Sequence, residues 1–138
     1  MRIRMALGLL LVTSCRSPSP MTAADLASRA QRDLLGSQRD LVKRRVAVRG
    51  VVQQTSLVPR NTIIASGYGA GISIAPQQES LPLVIMEPGT VLCYFEPEDI
   101  DDAAGINQGN EITLDCQVQA FRVDGAQHLS ILHGCRRP

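Results

Sequence analysis

Four cysteines, two histidines, a basic run and an acidic run are the residues of this 138-residue chain whose types could do chemistry. Cys116 and Cys135 offer a thiol pair for metal or redox work or, in an exported protein, a disulfide, and the disulfide is the favoured reading. Cys93, inside the apolar run Val91–Phe95, reads as a buried free thiol. His128 and His133 lie on one strand at an odd spacing, so they point to opposite faces and cannot share a metal. Lys43, Arg44, Arg45 and Arg49 could meet the phosphates of nucleic acid or of lipid headgroups, but a solvated helix end and an outward strand face is the favoured reading. Glu96, Glu98, Asp99, Asp101 and Asp102 lack the D-x-D-x-D-G form of a calcium loop and suit the first turn of a helix instead. Gly67-Tyr68-Gly69-Ala70-Gly71 has no helix after it to supply amides to a phosphate and reads as a bend or surface loop. Ser130 and the histidines have no carboxylate at a spacing that would complete a hydrolase triad. The chain is therefore expected to hold no catalytic residue, no metal and no cofactor.

The fourth cysteine has a different chemistry. Met1–Arg4 supply positive charge, Met5–Val12 an apolar run, and Val12-Thr13-Ser14-Cys15 a small-residue site ending in cysteine, the order of a secretory signal. Eight apolar residues make a helix of only about 12 Å, far below the bilayer thickness, so the run is not read as a transmembrane anchor. The site resembles the bacterial lipobox, which implies cleavage before Cys15, a diacylglycerol on its thiol and an acyl chain on its new amine. Ordinary cleavage after Ser14, leaving Cys15 free, is the alternative. Each buried methylene contributes about 0.8 kcal/mol, so several chains tether a protein firmly to the membrane. Arg16-Ser17-Pro18-Ser19-Pro20 is an extended spacer. Arg16 stands where envelope retention signals typically have Asp, which resembles cargo sent to the outer membrane, facing the periplasm. The division expected is a signal peptide over residues 1–14, an acylated cysteine and linker over 15–21, and one domain over 22–138.

The composition is that of an ordinary globular chain, with 44% apolar and 20% charged residues. With Arg2 and Arg4 removed, twelve bases face thirteen acids, a net charge of −1. Residues 16–60 carry a net +6 and residues 61–138 a net −7, which predicts a polarised surface. The mature domain is still not basic, and the chain has no Trp, two Tyr and two Phe, so nucleic acid has few cations and few stacking platforms to use.

Positioning these residues falls to one helix and a set of strands. From Thr22 to about Val42 the pattern is helical, with Leu26, Ala30 and Leu34 on one face, Thr22 and Asp25 at a capping start, Gly36 weakening the middle and Lys43-Arg44-Arg45 at the end. Arg45–Gln54 alternates as a first strand and bends at Gly50. Thr62–Ala65, Gly71–Ala75, Leu83–Met86 and Thr90–Phe95 are apolar runs, read as strands two and three with an elaborated connection, a Pro76–Pro82 loop and a Pro88-Gly89 turn. Tyr94 and Phe95 are adjacent, so at most one faces outward. Glu96–Ala104 reads as a short helix. In Glu111–Phe121 the even positions from Ile112 to Ala120 are apolar and make one buried face; on the returning strand Leu129, Ile131, His133 and Cys135 share a face. A two-residue Gly125-Ala126 turn sets Ala120 opposite Ile131, Val118 opposite His133 and Cys116 opposite Cys135; a three-residue turn would send the two cysteines to opposite faces.

Helix, three strands, short helix, two strands is the order of a mainly β protein: a five-stranded OB-fold barrel with an N-terminal helix and a short helix between strands three and four. The chain resembles the bacterial OB-fold lipoproteins also termed tRNA-anticodon-binding-like, through Val46–Val52, Val91–Phe95 and Gln108–Leu114 leading into Cys116 and Cys135. With the lipobox, the chain is read as an envelope binding or interaction module with an envelope protein or glycan as partner and membrane contact through the lipid. Nucleic-acid binding, implied by the family's name, is the runner-up.

Overall fold

A computed structural model describes residues 20–59 and 80–138. Cys15, the signal and most of the linker, the runs Thr62–Ala65 and Gly71–Ala75 and the glycine cluster Gly67–Gly71 lie outside the described residues. The protein is mainly β, and the elements are β1 (Met21–Thr22), α1 (Ala23–Arg32), α2 (Leu34–Leu41), β2 (Arg45–Pro59), β3 (Ser80–Met86), β4 (Val91–Tyr94), a 3-10 turn (Pro97–Asp99) running into α3 (Ile100–Ala103), β5 (Glu111–Asp124) and β6 (Gln127–Arg136).

The helical stretch is two helices rather than one. Thr22 caps α1, its hydroxyl accepting from the Asp25 amide at 3.0 Å. The break falls at Asp33, three residues before Gly36, because the Asp33 carboxylate accepts from the Gly36 amide at 2.9 Å and so starts α2 where α1 ends. A Cβ on Gly36 would collide with that carboxylate, so the glycine makes room for the cap instead of weakening a continuous helix. Arg45 belongs to β2 and not to the helix end.

The six strands run in the order β1-β2-β3-β4-β6-β5, and β2 pairs again with β5, which closes β2 through β6 into a ring. β2 reaches past Gln54 to Pro59 because its two halves have different partners: Arg45–Val51 pair with β5 and Val52–Pro59 with β3. Gln53 is the extra residue of a bulge where the strand changes partner. Just before it, a Cβ on Gly50 would stand 2.9 Å from both Ala23 Cβ and Met86 Sδ, so the missing side chain is what lets α1 and β3 approach β2 there. β4 pairs with β6 in parallel and every other pairing of the ring is antiparallel. β3 begins at Ser80, so the end of the expected Pro76–Pro82 loop is strand.

The closing hairpin departs from the uniform register in two places. The turn pairs Asp124 with Gln127 and Ala120 with Ile131, and then Gln119 bulges out so that Val118 faces Leu132 and Gln117 faces His133. Val118 is therefore not opposite His133. A second bulge, on β6, takes up the slip: Gly134 adopts φ 57°, in the left-handed region that glycine enters without strain, and Asp115 returns to Arg136. The bulges also exchange the buried residues. Phe121 takes the core place expected of Ala120, and Leu132 takes that expected of Ile131, which is still buried at 8% exposure but lies outside the core cluster.

Leu26, Val48, Met86, Leu114, Val118 and Leu132 fill the interior, and α1 closes one end by burying Ala23, Leu26 and Ala30. Leu35, on the neighbouring helix, is 81% exposed. Leu26→Ala should therefore cost about 3 kcal/mol in a denaturant titration, whereas Leu35→Ala should change stability by no more than about 0.5 kcal/mol.

Candidate functional site

The basic residues come from one turn and one strand. Arg45 and Arg49 are outward residues on the same side of β2, and across the β2–β5 ladder they meet carboxylates. Arg45 donates to the carbonyls of Asp115 at 3.2 Å and Gly134 at 3.0 Å, with its Nε 3.4 Å from the Asp115 carboxylate. Arg136 reaches the other oxygen of Asp115 at 3.5 Å, and Arg49 stands 3.5 Å from Glu111. Two bases of the positive half, Arg45 and Arg49, are thereby paired with acids of the negative half across this ladder. Lys43 and Arg44 have exposed side chains, and their backbones secure the turn into β2: the Lys43 amide donates to the Val118 carbonyl at 2.8 Å, and the Arg44 carbonyl accepts from the Val118 amide at 2.9 Å.

The cysteines lie on the opposite, interior side of the sheet. Cys116 and Cys135 form a disulfide beside the Gly134 bulge, with Cα atoms 4.1 Å apart, closer than the 5.5 Å or so of a regular hydrogen-bonded pair. A loop of this length contributes about 3 kcal/mol through the unfolded chain. Cys93 is free and fully buried, and burial pushes its thiol up to about 12. Three adjacent strands, β4, β6 and β5, thus place one sulfur each in the interior, all within 4.8 Å of one another.

A different surface lies outside these strands. Because β4 alternates, Val91, Cys93 and Phe95 go to the core while Leu92 and Tyr94 face outward. Leu83 lies beside Tyr94, Ile85 beside Leu92, and Leu92 beside Ile131, which in turn is opposite Ala120. Together these residues make a continuous apolar outer side across β3, β4, β6 and β5 that is largely covered, Leu83 and Ile131 being 7% and 8% exposed. Its aromatic is Tyr94, half-buried, whose phenol is pushed up by desolvation and pulled down by the nearby Arg122 guanidinium. Burial, opposed by Glu96 and aided by Arg45, lowers His133 at the edge of this face. A cleft of about 400 Å³ adjoins it, walled by Leu57, Leu83, Ile100, Ala103 and Ile106. Leu57 and Ile100 are 62% and 49% exposed, so the apolar surface continues to solvent. The cleft and its exposed Leu57 and Ile100 can dock an apolar or polypeptide surface. Among the described residues, the buried Ser130 hydroxyl has no hydrogen-bond partner and stands on the other side of β6 from His133, so these two do not form a nucleophile and base.

This face was not assembled by sequence reasoning. Its signal was the unbroken apolar run of β3, Leu81–Met86, which marks a strand covered on both sides rather than one with a wet face.

The state of Cys93 has a measurable consequence. The native thiol should resist alkylation at pH 8 and react fully once the chain is unfolded without reductant. Its folded pKa lies above its unfolded value, so the stability it carries is whole below about pH 9 and falls as the pH climbs toward 12. Denaturant midpoints across that range should decline less in Cys93→Ala than in the parent.

No protein-family model and no curated protein matches the chain. Among solved structures, it is similar to one from Klebsiella pneumoniae described as a "putative nucleic acid-binding lipoprotein", with a TM-score of 0.57 and 15% identity over 85% of this chain and 90% of that one. At that identity the likeness is one of fold.

Proposed function

We propose that this chain is a lipid-anchored cell-envelope binding module built on an OB-fold barrel, without catalytic activity, tethered through Cys15 to the outer membrane and facing the periplasm. The barrel reading is supported by the ring order β2-β3-β4-β6-β5 with its single parallel pair, and by the likeness in fold to the Klebsiella structure. No helix among the described residues is long and apolar enough to cross a membrane. The acyl chains on Cys15 are the proposed anchor.

The observation that carries the binding role is the apolar cleft walled by Leu57, Leu83, Ile100, Ala103 and Ile106, where Leu57 and Ile100 are exposed. Such a surface gains by covering apolar area, about 25 cal/mol for each Å² removed from water, which favours an envelope protein over a glycan as partner. Nucleic acid is the second reading, because the similar structure is so described. A groove for single strands needs cations along the backbone and aromatic platforms for the bases. Here Arg45 and Arg49 face Asp115 and Glu111, and Phe95 is core at 1% exposure, which leaves Tyr94 as the outward one of the two adjacent aromatics.

The anchor is tested by metabolic labelling: palmitate should enter the parent protein and not Cys15→Ala, and equal labelling of both would refute it. The ligand class is tested by fluorescence anisotropy on residues 21–138 with labelled single-stranded oligonucleotides. A dissociation constant of about 10⁻⁴ M or weaker at physiological salt is expected. Micromolar binding that weakens steeply with salt and is lost in Arg45→Ala or Arg49→Ala would replace the first reading with the second.

A further inference from the structure

The interior sulfur cluster is independent of the outer face and has chemistry of its own. Cys93 lies between Val91 and Phe95 on the inner side of β4, and Cys116 between Leu114 and Val118 on the inner side of β5, every one of them at most 1% exposed. Cys135, also fully buried, comes from β6 between those two strands. The Cys93 sulfur lies within 4.8 Å of both bridged sulfurs, and three sulfurs on bonds of about 2.3 Å around a pyramidal trivalent centre stand about 3.4 Å apart.

We propose that reduction of the Cys116–Cys135 bridge turns the three thiols of Cys93, Cys116 and Cys135 into a binding site for one trivalent arsenic or like soft ion. Charge selects this class. Among the described residues the buried polar side chains are Ser37 and Ser130, so the interior holds no group to balance an ion. A divalent ion on three thiolates leaves a net negative charge, which costs several kcal/mol in an apolar interior. A trivalent ion on three thiolates leaves none.

The chemistry balances without a buried charge. A phosphine or dithiol reductant supplies two electrons, solvent supplies two protons, and the disulfide becomes two thiols. Arsenous acid then exchanges its three As–O bonds for three As–S bonds, and the three thiol protons leave with its hydroxyls as three waters. Nothing is oxidised in this second step. Because the thiols enter in their protonated form, the burial that keeps Cys93 protonated does not oppose the net reaction.

The test uses the purified protein reduced with a phosphine, which does not chelate arsenic as a dithiol does, and then treated with sodium arsenite. The intact mass should rise by one arsenic less three hydrogens, and all three thiols should be blocked to a thiol reagent in denaturant. Cys93→Ala, whose fold is verified in the oxidised state, should bind arsenite about 100-fold more weakly or worse, since one arm of the chelate is gone. If the reduced protein has lost its fold, arsenite should restore the β-sheet circular dichroism, because a ligand that holds only the folded state stabilises it. Absence of an adduct, an adduct that blocks only two thiols, equal affinity in Cys93→Ala, arsenite uptake by the oxidised protein, or tighter binding of Cd²⁺ than of arsenite would each overturn the proposal.

Discussion

Closure of the ring depends on β2 serving two partners in succession. A strand in an open sheet keeps one neighbour on each side along its length. Here Arg45–Val51 hold β5 and Val52–Pro59 hold β3, and at the changeover the Val52 amide donates to Asn110 at 2.8 Å while the Val51 carbonyl accepts from Glu87 at 2.9 Å. Backbone polar groups are expensive to leave unpaired, so the strand can change partner only where each new bond replaces an old one. Gly50 and the Gln53 bulge supply the turn in direction, and α1 then seats Ala23 over the gap left at Gly50. With the sheet closed there, β4 and β6 come together in parallel.

Curvature imposed by closure accounts for the two bulges of the β5–β6 hairpin. Strands that bend around a small core cannot keep a perfect two-residue alternation, and each bulge rotates the residues beyond it to the other face. The Gln119 bulge brings Phe121 inside, and the Gly134 bulge brings Cys135 inside after Leu132. One bulge without the other would leave the cysteines out of register, so the disulfide rests on the two acting as a pair. The same rotation leaves Ile131 on the outer side beside Leu92, where it extends the aliphatic face.

Electrostatics is secondary to this framework. The Arg45–Asp115–Arg136 group and the Arg49–Glu111 pair are partly exposed, and such pairs contribute at most about 1 kcal/mol each. Their effect lies in what they occupy. Arg45 and Arg49, two of the bases that a sequence count leaves in excess over one half of the chain, are partnered by acids from the other half once β2 and β5 pair, and these two offer an anion less than the count suggests.

What the sequence determined by itself was local. Thr22 with Asp25 starts a helix, Gly125-Ala126 turns a hairpin, and the adjacency of Tyr94 and Phe95 allows only one of them outward, because each depends on residues a few positions apart. The mainly β class also rests on alternation that can be counted along the chain. Tertiary structure decided what depends on distant partners: the division of β2 between β5 and β3, the exchange of Ala120 and Ile131 for Phe121 and Leu132 in the core, the pairing of Arg45 with Asp115, and the meeting of Cys93 with the two bridged sulfurs. The physical reason is that a bulge is placed by the curvature a closed ring demands. That curvature is a property of all the strands together, and no one strand carries it in its own alternation.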